Sequence, residues 1–139
     1  MRRTLVVIEP GRGGDAAVDE ARAGDAPIAS ELTLVGVAPQ ASGPRCGTSI
    51  LDYNAAIVDA VADDITRARD RLIFAGVRPS CRLLIEGRGP TLEEFVASEQ
   101  FDLILLPSRG RRAGRGRHAA AQRLRTDTSA EVRLVVARP

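Results

Sequence analysis

Five short apolar runs constrain the fold of this chain more than any other feature. Residues 4–9 read TLVVIE, 32–37 LTLVGV, 80–86 SCRLLIE, 102–106 DLILL and 132–137 VRLVVA. A strand with one wet face alternates apolar with polar residues, whereas runs like these belong to strands covered on both faces. Pro10-Gly11 and Gly13-Gly14 break the first run, and the turn-rich segment 39–49, PQASGPRCGTS, follows the second.

Helical patterns lie between the runs. Asp15 can cap a short helix over AAVDEARA, which Gly24 and Pro27 disturb at its end. Residues 50–75 carry the strongest helical signal, with Leu51, Ala55, Val58, Ala62, Ile65, Leu72 and Ile73 forming one apolar stripe. Ser49 with Asp52 reads as a capping box, and Gly76 stands where a glycine closes a helix. Pro90 suits the first turn of a helix over TLEEFVASE, with Glu93 and Glu94 near its positive end. A last helix fits residues 118–129. Alternating strands and helices of this kind predict an α/β chain, with helices on both faces of a parallel sheet joined by right-handed crossovers. The whole length, 1–139, fits one domain. Ligands of such sheets sit beyond the carboxyl ends of the strands, where strand order reverses. Glu9, Val37, Glu86 and residues 107–110 fall at those ends.

Composition narrows the function. No apolar run approaches the ~18 residues of a bilayer span, and the opening MRRTLVVIEPG lacks the apolar stretch of a signal peptide, so no membrane role and a cytoplasmic location are expected. Cys46 and Cys81 have no metal-ligand spacing, and Cys81 is expected to be a small buried hydrophobe. No metal site is expected. His118, the one histidine, reads as a surface residue near a helix start. All 20 basic residues are arginine, which removes any Schiff-base or phosphate-loop lysine. With no second histidine, no lysine and no Gly-x-Ser-x-Gly elbow, no nucleophile and base come together, and the chain is not expected to be an enzyme. Glu9 and Glu86 are acids that could hold magnesium on a bound nucleotide.

The net charge of +2 is unevenly spread. Residues 103–126, including LPSRGRRAGRGRH at 106–118, hold seven arginines and no acid. Three readings stand for this block. Arginines bind phosphate bidentately, so the loop can hold a phosphorylated small molecule. It can also be a solvated loop that meets a protein partner. A nucleic-acid surface is disfavoured, because Tyr53, Phe74, Phe95 and Phe101 all lie outside the block and no nucleic-acid-binding motif is present.

The succession of LTLVGV, RARDRLIFAGVRPSCRLLIEGRGPTLEEFV, FDLILLPSRG and VRLVVARP resembles the universal stress protein family, from about Thr4 to Arg138. The resemblance implies a flavodoxin-like three-layer sandwich, of the adenine nucleotide alpha hydrolase-like type, with a five-stranded parallel sheet. It also implies a homodimer through the last strand, at Val132, Leu134, Val135 and Val136, and a role in stress adaptation or regulation. Many members bind ATP through a G-x-x-G-x9-G-[ST] motif, whose glycines let backbone N–H groups approach phosphate. Laid on this chain, the first glycine becomes Pro107, which lacks an N–H. Gly110 is retained, beside Arg109 of the family's SRG. The closing pair becomes Ala120 and Ala121, and the first strand's aspartate becomes Glu9. Together with Val7 and Val37 at strand ends, these eight residues form the candidate nucleotide site. No cofactor is certain. The expectation is a non-catalytic protein with a degenerate nucleotide site; the alternative is an ATP or AMP sensor using an arginine-rich phosphate loop.

Overall fold

In the computed structural model of the chain, the described residues are 2–8, 30–43, 49–108 and 130–136. The helices expected near 15–22 and 118–129, and Cys46 and His118 with them, lie outside these residues. All five apolar runs are strands: β1 (Arg2–Ile8), β2 (Ser30–Ala38), β3 (Ser80–Ile85), β4 (Leu103–Ser108) and β5 (Glu131–Val136). They pair in parallel in the order β3-β2-β1-β4-β5. Two helices are described, α1 (Ile50–Phe74) between β2 and β3, and α2 (Leu92–Glu99) between β3 and β4.

The continuous apolar runs are explained by burial on both faces. Val6 and Ile8 of β1, Leu34 of β2 and Leu105 of β4 pack against Val61, Ile65, Ala68 and Leu72 of α1. Their neighbours Leu5, Val7, Val35, Ile104 and Leu106 point the other way, onto Phe95 and Val96 of α2. Successive side chains of a strand alternate between faces, so a sheet with helices on both sides needs an apolar residue at every position. This is the three-layer, flavodoxin-like architecture expected from the sequence.

Gly36 of β2 sets how closely α1 lies on the sheet. A Cβ at this position would stand 2.5 Å from Val61 Cγ1 and 2.6 Å from Ile65 Cδ1. Glycine is required for that approach. At its start, the Ser49 side chain accepts a hydrogen bond from the Asp52 N–H at 3.1 Å. At its end, Gly76 has φ +87°, its N–H donates to the Ile73 carbonyl at 2.9 Å, and the Val77 N–H donates to the Leu72 carbonyl at 2.8 Å. This pair of bonds is a Schellman closure, with Val77 and Leu72 both buried in the same cluster.

Four local expectations are corrected. Leu51 and Ile73 are not part of the buried stripe, being 74% and 48% exposed, and Ala55 is exposed too. The stripe runs instead through Val61, Asp64, Ile65, Ala68 and Leu72, where the buried Asp64 carboxylate meets the Arg67 guanidinium at 2.5 Å. Cys81 is exposed rather than buried, because β3 is an edge strand whose first three residues all face solvent. Pro90 lies outside α2. The N-cap is Thr91, in a full capping box with Glu94, and Pro90 restrains the approach to it. Finally, Glu86 lies just past β3, while β4 runs on through Pro107 to Ser108.

Candidate ligand site

The carboxyl ends of β1, β2 and β3 and the start of α2 enclose a cavity of about 370 Å³. Its floor is apolar. Val7 of β1, Val37 of β2 and Leu84 of β3 share the α2 side of the sheet, and Val37 and Leu84 are register partners. Val7 is buried and Val37 half-buried, so the floor opens toward solvent at β2. A pocket of this size, with an apolar base and few polar groups, suits a small organic ligand.

One wall is the segment that turns from β3 into α2. The Arg88 N–H donates to the Ile85 carbonyl at 2.9 Å, and Gly87 takes φ +80° at the third position of that turn. Gly89, at φ +115°, allows the chain to bend again before Pro90. Thr91 then caps α2: its hydroxyl accepts from the Glu94 N–H at 3.2 Å, while the Glu94 carboxylate accepts from the Thr91 N–H at 3.5 Å. The loop after β2 forms the opposite rim at Pro39. It is fastened to α1 by a reciprocal pair in which the Ala41 N–H donates to Asn54 Oδ1 at 2.8 Å and Asn54 Nδ2 donates to the Ala41 carbonyl at 3.2 Å.

Charge in the described lining comes from two carboxylates, Glu86 and Glu93. Arg88 is exposed and does not line the cavity. Among the described residues no group of three or more His, Cys, Asp or Glu side chains is placed to hold a metal ion. Nor is any helix among them long and apolar enough to cross a membrane.

Of the residues singled out in the sequence, Val7, Val37 and Glu86 meet in this cavity. Pro107 is a half-buried residue of β4, in register with Val135. Strand β4 pairs with β1 only from Leu103 to Leu105, so Pro107 falls past the end of that ladder and its missing N–H leaves no bond unmade on the β1 side. The two strands part there, at the point where strand order reverses. Glu9, Arg109, Gly110, Ala120 and Ala121 lie outside the described residues. Leu84 and Glu93 were not anticipated. The signal that could have found them is the Gly-x-Gly-Pro turn of residues 87–90, which closes the same end of the sheet.

No protein-family model matches the chain, and no curated protein does. Solved structures match it over nearly its whole length. A protein of the universal stress protein family from Burkholderia pseudomallei superposes with a TM-score of 0.66 at 19% identity, covering 97% of this chain and 96% of that one. A universal stress protein in complex with cAMP gives 0.64 at 19% identity, covering 96% of each chain. A universal stress protein family protein from Arabidopsis thaliana with AMP bound gives 0.62 at 10% identity, covering 99% and 93%. These likenesses define the class of fold: a parallel α/β sandwich of the flavodoxin-like type. The particular version is that of the universal stress proteins.

Proposed function

We propose that this chain is a non-catalytic, cytoplasmic member of the universal stress protein family that binds the adenosine portion of an adenine ligand in the cavity floored by Val7, Val37 and Leu84. The observation that carries this reading is the cavity itself, which lies at the carboxyl ends of the strands and joins Val7, Val37 and Glu86. Two proteins of the same fold, solved with cAMP and with AMP, support the adenine class. The residues aligned with the family's phosphate motif support a weak hold on phosphate, since Pro107 brings no N–H to it. A regulatory role follows, in which occupancy rather than turnover is the output.

The proposal includes a homodimer through β5. It is supported by the position of β5 at the end of the strand order. A strand at the end of a sheet is where a second copy can extend it. Sedimentation should give a dimer, and Val135→Asp should shift it to monomer; a wild-type chain that stays monomeric at high concentration removes this part of the proposal.

The test of the site is calorimetric titration with adenosine, AMP and ATP. Binding in the micromolar range that Val37→Trp abolishes, with the circular dichroism spectrum unchanged, supports the reading. No heat with any adenine compound overturns it and leaves a role through a protein partner.

A further inference from the structure

The charged side chains in the described lining of the cavity are acidic. We infer that the site selects an uncharged nucleoside over its phosphorylated forms, with Glu86 and Glu93 as the selecting residues; this rests on the adenosine reading above. Two observations carry it. The first is the lining, which among the described residues contains the carboxylates of Glu86 and Glu93 and no cation. Neither carboxylate has an ion pair among the described residues, so both present their charge to a ligand.

The second is the helix beside the cavity. A helix N-terminus ordinarily attracts anions through its unpaired N–H groups and dipole. Here Thr91 and Glu94 satisfy each other's N–H groups at the α2 terminus, and Glu93 and Glu94 add two negative charges to its first turn, offsetting the dipole. A phosphate in this cleft loses hydration and meets repulsion. The hydroxyls of a ribose and the amine of adenine are donors, and they meet acceptors.

The experiment is a titration of wild type and of the Glu86→Gln, Glu93→Gln double variant with adenosine, AMP and inorganic phosphate, at low and moderate salt. Each carboxylate within a Debye length of a phosphate alters affinity by roughly two- to threefold, so wild type should prefer adenosine to AMP by about fivefold or more. The double variant should narrow that ratio toward one, and salt should strengthen AMP binding to wild type by screening the repulsion. Tighter binding of AMP than adenosine, weakened by salt, would place recognition on the arginine run after β4 and overturn the inference while leaving the adenosine reading intact. An adenosine preference that the double variant leaves unchanged would also overturn the assignment to Glu86 and Glu93. Binding of neither compound would overturn the adenosine reading and the inference together.

Discussion

Arg3 ties the amino end of the sheet to the last turn of α2. Its guanidinium donates to the Glu99 carbonyl and, at 3.3 Å, to the Gln100 carbonyl, reaches the carboxylates of Glu99 at 3.4 Å and Glu31 at 3.6 Å, and lies 5.2 Å from the Phe101 ring centroid. The carbonyls at a helix end carry negative partial charge, so a cation there is favourable. Because the site is partly solvated, Arg3→Ala should lower unfolding free energy by about 1–2 kcal/mol, measured by urea titration. Gln100 itself stands at φ 53°, a left-handed conformation that glycine adopts without a Cβ penalty. Gln100→Gly should therefore raise stability by about 0.5–1 kcal/mol in the same titration. Cys81 behaves differently from an ordinary exposed thiol. Partial desolvation of its sulfur on the edge strand pushes its pKa up, and the nearby Arg69 charge pulls it partly back. At pH 8 less thiolate is present than for a free cysteine, so iodoacetamide should label it slowly, with the rate still rising well above that pH. Arg69→Ala should slow labelling further.

At the scale of elements, α1 shows where periodicity stops being informative. Its 25 residues span about 37 Å at ~1.5 Å each. The nine residues of β2 span only about 30 Å at ~3.3 Å each. The helix is therefore longer than the strand it covers, and Leu51 near one end and Phe74, 96% exposed, at the other face solvent. The apolar spacing of residues 50–75 reveals the helix, while its buried centre depends on a strand length that this segment does not encode. The exposure of Cys81 has the same origin, since no single run says which strand lies at an edge. The start of α2 is legible in the sequence at Thr91 rather than Pro90, since the Thr91-x-x-Glu94 pattern is the stronger start signal. Gly36 offers the sharpest test of packing. Gly36→Ala should cost about 1–3 kcal/mol, and Ile65→Val, which removes the Cδ1 atom 2.6 Å from the new Cβ, should cost less in that background than in wild type.

For the whole molecule, the five buried strands made the layered fold legible, because only a sheet covered on both faces explains them. Half of the site was legible for the same reason: Val7 and Val37 lie at strand ends, and strand ends are where such sheets bind. Glu93 and Leu84 were not, because they reach the cavity through a turn and a pairing register. Ligand binding should register globally: adenosine at about 100 times its Kd should add about 2.7 kcal/mol to unfolding free energy, seen as a rise in Tm of several degrees. The strand order β3-β2-β1-β4-β5 has a kinetic consequence. The first strand of the chain is the middle of the sheet, and its partner on one side arrives about a hundred residues later; the Arg3 N–H donates to the Asp102 carboxylate across a separation of 99. Contacts that distant are slow to close. During synthesis β1, β2, β3 and α1 can assemble on the ribosome, but they do so with the β1 edge bare until β4 emerges. A nascent chain stalled before Leu103 should be captured by chaperones that bind exposed strands, and release should follow once β4 is free to seat.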